Sequence, residues 1–150
     1  MNRLTSVSAG TSANDDVGTF TIKFKVKATG DTVYISSLAD ATASGVTAGK
    51  TSIIIDRAGT ATTGGVSTVL TNVTETDLTS VGLYQLDEDE ENTFEITASM
   101  PTVGGGGLTS GLFRAVLGGV SWDTDSADAT PDNGYTSNLD TFKTSYISLN

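Results

Sequence analysis

The chain has 150 residues, of which 8 are Lys or Arg and 18 are Asp or Glu, so its formal net charge is −10. It contains no His and no Cys, which excludes imidazole acid–base catalysis, thiol nucleophiles, disulfides and zinc sites built on those side chains. The negative charge disfavours nucleic acids and anionic membrane surfaces, and it suits calcium as a small partner. No apolar run reaches the roughly 20 residues of a membrane-spanning helix, so we predict no membrane insertion. A single domain over residues 1–150 fits this length.

Alternating hydrophobicity marks the first strong strand, over residues 18–28. Its apolar side chains are Phe20, Ile22, Phe24 and Val26, and threonine or lysine separates them. Strict alternation predicts one buried and one solvated face. A turn sequence at residues 28–31 precedes an apolar run at residues 33–35, which we predict to pair with the first strand as an antiparallel hairpin. Residues 1–17 hold either an earlier strand, near residues 4–7, or a lead-in.

Further strand-like segments follow, each bounded by Gly, Asp, Asn or Pro. They are residues 51–56, 66–73, 82–86, 92–100, 108–122 and 146–149. The longest carries Gly118-Gly119, which predicts a bend. Residues 38–50, 104–107 and 123–138 have the composition of connections. About eight or nine short strands without a helical period predict an all-β fold, an antiparallel β-sandwich of immunoglobulin-like type.

Acidic residues concentrate in the predicted connection after Trp122. The candidate calcium ligands are Asp123, Asp125, Asp128 and Asp132. Calcium takes about six to eight oxygen ligands, and alternate carboxylates in a loop can turn toward one ion. Ala127 stands at the third ligand position of an EF-hand loop and no glutamate follows at the required spacing, so that loop type is rejected. Two interpretations stay open: a calcium site, or a solvated loop with Asx turns.

The acidic run at residues 87–91 is a second charged feature. It predicts an exposed hairpin tip or, alternatively, a cation site that relieves the repulsion. Carboxylate pairs of the kind used in glycoside hydrolysis can be drawn in many ways here, so no single pair is informative. Because no base is placed to activate the abundant Ser and Thr hydroxyls, we predict that the protein is not an enzyme.

Aromatic residues offer another kind of site. Trp122 and Tyr135, together with Tyr146, could form a platform for a sugar ring, because an aromatic ring buries area and leaves a polar edge. The alternative is that Trp122 belongs to the core. Asn72 begins an Asn-Val-Thr triplet, which fits the glycan acceptor pattern.

Residues 18–28, 91–98, 111–122 and 142–150 together resemble immunoglobulin-like or fibronectin-like β-sandwich modules of bacterial cell-surface and extracellular proteins. The likeness covers most of the chain and lies in strand texture; the disulfide pair of antibody domains is absent. It implies a surface or secreted module used for spacing, adhesion or assembly, and no catalytic residue. Residues 1–4 lack the apolar stretch of a secretory signal, so either the protein is cytosolic or this is a mature domain cut from a longer secreted chain. The resemblance implies the second.

The leading functional hypothesis is a noncatalytic extracellular or cell-surface module with a structural or adhesive role, joined to other domains and stabilised by calcium. A second is a self-assembling filament or surface-layer subunit, in which residues 146–149 or 4–7 pair with the sheet edge of another copy. A third is a carbohydrate-binding module. We favour a monomer over a filament, because the strong negative charge opposes close self-packing.

Overall fold

A computed structural model describes residues 3–8, 16–62, 65–101, 110–137 and 139–149. The strands in chain order are β1 (Arg3–Ser8), β2 (Val17–Lys27), β3 (Val33–Ser36), β4 (Ala39–Ala41), β5 (Thr51–Arg57), β6 (Thr60–Thr62), β7 (Ser67–Asn72), β8 (Leu83–Leu86), β9 (Glu91–Pro101), β10 (Gly111–Asp123), β11 (Asn133–Tyr135) and β12 (Ile147–Leu149). A 3-10 helix spans Leu139–Thr141. Within the described residues there is no α-helix, and no helix long and apolar enough to cross a membrane. The predicted all-β class is confirmed.

The first sheet has the strand order β1-β2-β9-β7, and all of its pairs are antiparallel. The alternation predicted for β2 is confirmed, because Phe20, Ile22 and Phe24 are buried while Lys25 and Lys27 are exposed. The inward face of β9 is likewise apolar along most of its length. The strand predicted near residues 4–7 is present as β1, which pairs with β2.

The second sheet has the order β4-β5-β10-β3-β8; in addition, β6 pairs with β5, and β11 and β12 pair with β10. Its pairs are antiparallel except for the parallel pair of β4 and β5. The long strand β10 lies at its centre and pairs with β5, β3, β11 and β12. A register shift between Leu117 and Gly119 confirms the bend predicted at the glycine pair.

The buried faces of the two sheets share one hydrophobic core. Phe94 lies within it, with its ring stacked on Phe24 at 5.8 Å between centroids and in edge contact with Tyr84 at 5.7 Å. The second sheet contributes β-branched and aromatic side chains, and the last strand adds Leu149. The largest fully buried side chains are Phe20, Phe94, Phe113, Ile22, Ile35, Ile53, Ile55, Leu83, Leu86, Ile96, Met100 and Leu117.

The hairpin predicted between β2 and β3 is wrong. After the turn at residues 28–31 the chain crosses to the second sheet, where β3 pairs with β8 and β10. The long register of β2 with β9, from Val17↔Pro101 to Lys27↔Glu91, explains the difference. A full-length pairing with β9 offers β2 many more hydrogen bonds than pairing with the short β3 could. In the second sheet, Ile35 of β3 is fully buried in the core.

The predicted number of strands, eight or nine, is also too low, because the described residues form twelve. β4 and β11 lie in segments expected to be connections, and β6 lies just after β5. Each of these three strands has three residues. So short a strand hardly displays a period of two in the sequence. Each of the three pairs with a longer strand, β10 or β5, which supplies its hydrogen-bond partners. Residues 104–107, a predicted connection, lie outside the described residues.

The loop of residues 42–50 packs closely on β10 and β11. A Cβ atom added to Gly119 would lie 2.7 Å from Cβ of Val46 and 3.2 Å from the carbonyl oxygen of Tyr135. The loop is tied down by the backbone N–H of Gly49, which donates to the carbonyl oxygen of Pro131 at 2.7 Å and to Oγ of Ser121 at 3.1 Å. Glycine at the bend of β10 therefore lets the loop cover the sheet.

We expect Gly119→Ala to destabilise the protein by about 1–3 kcal/mol, because the added methyl group would displace the stiff Val46 side chain and the loop that carries it. Asn133→Ala, an exposed position on the neighbouring strand, is the control and should change stability by less than about 0.5 kcal/mol. Urea denaturation measures both, and hydrogen exchange at the Gly49 amide reports loosening of the loop. Unchanged exchange and stability in Gly119→Ala would contradict the close packing described.

Candidate functional site

A groove with a volume of about 630 Å³ opens between the β2 edge and the end of β10. Trp122 and Tyr135 both line it. The antiparallel register pairs Val120 with Tyr135, so these two side chains lie on the same face, and Trp122 follows two residues later on that face. Buried apolar residues form its deeper part, namely Phe24, Ile35, Leu117, Val120 and Leu139.

The rim of the groove is polar and carries both signs of charge. Lys25, Lys27 and Asp31 line it together with Thr and Ser hydroxyls. The ammonium of Lys25 lies 2.6 Å from the Glu91 carboxylate, and that of Lys27 lies 3.1 Å from Asp89. An apolar floor with a polar rim suits a ligand that has apolar groups along one side and polar groups along the other.

The two predicted platform residues are therefore brought together, whereas Tyr146 lies elsewhere. Its hydroxyl donates to Oδ2 of Asp56 at 2.9 Å, and the Arg114 guanidinium lies over its ring at 4.6 Å from the centroid. Sequence reasoning missed the lysines of the rim. In the sequence, the alternation of these lysines with apolar residues indicated only the solvated face of a strand.

The carboxylate of Asp56, a buried residue, is the centre of a hydrogen-bond network whose other side chains are partly exposed. Burial raises its pKa, but hydrogen bonds from Tyr146, the Gly59 amide and Arg114 outweigh that effect and lower the pKa below its ordinary value. The closest donors are the Gly59 N–H at 2.6 Å and Nε of Arg114 at 2.7 Å. The network joins β5, β10 and the segment before β12, and it serves stability rather than the groove.

A carboxyl group with a lowered folded-state pKa stabilises the protein above its unfolded pKa, about 3.9 for Asp, and this contribution is lost as the pH falls through the folded value. We therefore expect Asp56→Asn to cost about 1–3 kcal/mol at neutral pH, and less as the pH falls below about 4. Asp77→Asn, at an exposed position, is the control and should cost almost nothing at neutral pH. Denaturation curves across pH measure both, and a cost for Asp56→Asn that does not change with pH would refute the linkage.

The four candidate calcium ligands are not gathered around one point. The Asp123 carboxylate accepts hydrogen bonds from the backbone N–H groups of Asp125 and Thr124. These bonds, together with one from the backbone of Asp132, lower the pKa of Asp123. Asp128 similarly accepts from the Thr130 N–H at 2.8 Å. Across the described part of the chain, no cluster of three or more metal-ligating side chains is found. The local bonds are Asx turns, the alternative interpretation of this loop, and the calcium site stays a prediction.

The acidic run at residues 87–91 lies where the chain passes from β8 in the second sheet to β9 in the first. Most of it is exposed, as predicted, but the predicted hairpin is wrong, because β8 pairs with β3 and β9 pairs with β2 and β7. The alternative cation site stays a prediction. Glu90 closes the turn, because its side-chain carboxylate accepts from the Asp87 N–H at 2.8 Å. Lysines on the outer face of β2 pair with Asp89 and Glu91. These cations relieve part of the repulsion that the sequence alone left uncompensated.

The glycan acceptor triplet is not accessible at its asparagine. Asn72 is fully buried, and its side-chain oxygen accepts from the backbone N–H groups of Thr74 and Glu75 at 3.0 and 3.1 Å. The triplet therefore has a structural role, since the asparagine holds the chain as it leaves β7.

Comparison with known proteins finds no family model, no curated protein and no solved structure that matches the chain. Inference about function therefore starts from the groove and its surroundings.

Proposed function

We propose that the protein is a noncatalytic recognition module of a bacterial cell-surface or extracellular protein, built as an immunoglobulin-like β-sandwich, and that the groove is its binding site. The observation that carries this proposal is the convergence of Trp122 and Tyr135 on one groove. Both were candidates from the sequence alone. Trp122 lies in β10 and Tyr135 in β11, and the pairing of these two strands brings them together. The role is adhesive, and neighbouring domains of the parent protein and calcium at the acidic loop belong to the same proposal.

The chemistry of the groove favours binding over catalysis. Its ionisable lining groups are Lys25, Lys27, Asp31 and Tyr135, and both lysines already form ion pairs. The floor is apolar, and Tyr135 leaves 51% of its surface exposed at the rim. An exposed aromatic beside an apolar floor is typical of a surface that recognises a ligand.

Carbohydrate is one candidate ligand, and the pair of aromatic residues Trp122 and Tyr135 favours it. A sugar ring would stack on Trp122 or Tyr135 while its hydroxyls reach the polar rim. The self-assembling filament is the weaker alternative. β12 pairs with β10 of its own chain and Leu149 is fully buried there, which supports a last strand that is retained rather than donated.

The proposal is tested through the single tryptophan of the chain. Because Trp122 lines the groove, ligand binding should shift or quench its fluorescence in a saturable way. Panels of surface oligosaccharides and short peptides are titrated against the intact protein. Tyr135→Ala should weaken binding by about tenfold, equivalent to ~1.4 kcal/mol, without a change in melting temperature.

Tyr146→Phe is the control, because it alters an aromatic residue outside the groove and should leave affinity unchanged. The absence of any saturable change in Trp122 fluorescence across both panels would contradict the binding role. Equal loss of affinity in the two variants would show that the groove is not the site.

A further inference from the structure

Tyr135 is carried to the groove by a strand of only three residues. β11 spans Asn133–Tyr135 and pairs with β10, where Gly134 lies opposite Ser121. So short a pairing supplies few hydrogen bonds, and a segment with few stabilising contacts opens easily. The position of the Tyr135 ring therefore depends on the groups that hold β11 from outside this pairing.

Ser121 lies on the face of β10 opposite to the groove. It directly precedes Trp122, and successive side chains of a strand point to opposite faces. The residue is fully buried, and its hydroxyl donates to the carbonyl oxygen of Pro131 at 2.7 Å. Pro131 lies two residues before β11 begins. The hydroxyl thus fixes the chain at the point where it enters the short strand.

The same hydroxyl also holds the loop of residues 42–50. It accepts a hydrogen bond from the backbone N–H of Gly49 at 3.1 Å, and that N–H also donates to the carbonyl oxygen of Pro131 at 2.7 Å. The carbonyl oxygen of Gly49 accepts from the buried Ser36 hydroxyl of β3 at 2.6 Å. Hydroxyl groups from two strands of the second sheet therefore hold both backbone polar groups of Gly49.

Val46 of this loop packs over β11. A Cβ atom added to Gly134 would contact Cγ1 of Val46, so the loop lies directly on the backbone of the short strand. Gly134 immediately precedes Tyr135, whose side chain lies on the other face of the strand and lines the groove. The anchored loop therefore supports β11 from behind, on the face away from the groove.

We propose that Ser121 is a positioning residue of the groove. Through Pro131 and Gly49, its hydroxyl fixes β11 and thereby the placement of the Tyr135 ring relative to Trp122. This inference rests on the proposed recognition function, and it assigns a role to a residue that does not line the groove. A ring that is already fixed loses less conformational entropy when a ligand binds, so the network preorganises the site.

The test follows the Tyr135 ring in the full chain without any ligand. The chain has four tyrosines, and fluorine NMR after incorporation of fluorotyrosine resolves them, with Tyr84 and Tyr146 as internal references. Ser121→Ala should move the Tyr135 resonance toward its position in the denatured chain and leave the two references unchanged. Hydrogen exchange at the Gly49 amide should become faster by about tenfold, because a buried hydrogen-bond partner is lost.

Two further variants make the result specific. Ser126→Ala is the matched control, because it removes a hydroxyl at an exposed position of the loop that follows β10, and it should leave the Tyr135 resonance in place. Val46→Ala removes the packing over Gly134 and keeps the buried hydroxyl. Because Val46 is partly exposed, this variant serves even if Ser121→Ala fails to fold, and it should move the Tyr135 resonance in the same direction.

A Tyr135 resonance that stays in place in Ser121→Ala and Val46→Ala would overturn the positioning role. Equal movement of the Tyr84 and Tyr146 resonances would also overturn it, because it would show a general loosening of the fold. Since no ligand is present, these results are independent of the titrations that test the recognition function. A failure of those titrations, with the Tyr135 resonance moving as expected, would overturn the recognition function alone.

Discussion

Replacing Phe94 by alanine is expected to destabilise the protein by about 3–5 kcal/mol. Phe94 is fully buried, and its ring contacts Phe24 from the adjacent strand and Tyr84 from the other sheet. Truncation removes both aromatic contacts and leaves a cavity that the two sheets cannot close without losing other packing. Chemical denaturation monitored by circular dichroism measures the loss.

Lys25→Ala is the control for this prediction, since it lies on the opposite face of the same sheet. Its ion pair with Glu91 is exposed at both partners and contributes little, so the variant should lose less than about 1 kcal/mol. If Lys25→Ala were as costly as Phe94→Ala, the assignment of buried and solvated faces would be wrong, because a slip of one residue exchanges them.

Deletion of residues 145–150 is expected to have a comparably large effect, with a loss of more than about 4 kcal/mol of stability or failure to fold. The deletion removes the pairing of β12 with β10, the fully buried Leu149 and the hydrogen bond from Tyr146 to Asp56. Without β12 the start of β10 would lose its partner strand. The core next to Gly18 would be exposed to water, because the Leu149 side chain packs against that glycine. Melting curves and light scattering follow the outcome.

Two point variants separate the contributions within this segment. Leu149→Ala should cost about 2–5 kcal/mol, whereas Ser148→Ala, at an exposed position of the same strand, should cost less than about 0.5 kcal/mol. A truncated chain that stays folded, monomeric and as stable as the full chain would show that β12 is dispensable. That result would reopen donation of the last strand to another copy.

The candidate site was only partly predictable. Trp122 and Tyr135 could be selected from the sequence as aromatic candidates at and after the end of a long strand, but their common groove depends on the pairing of β11 with β10. The rim lysines could not be assigned to a site, because their alternation indicated only a solvated face.

The sequence by itself determined the all-β class, the faces of the long strands and the bend in β10. These features depend on local rules: alternation over many residues sets which side is buried, and a glycine pair permits a register shift. Alternation and glycine pairs can be recognised in the sequence because they depend on the local conformational and burial preferences of neighbouring residues.

Only the tertiary structure decided the partners. β3 pairs with β8 and β10 rather than with β2. Pairing with β9 gives β2 a longer register, and Ile35 of β3 is fully buried in the core. The short strands that the sequence did not predict, β4, β6 and β11, each pair with a longer strand that contributes to the core. Strand pairing is a competition among segments distant in sequence, and its outcome depends on the total burial and hydrogen bonding of the sheet, which no single segment encodes.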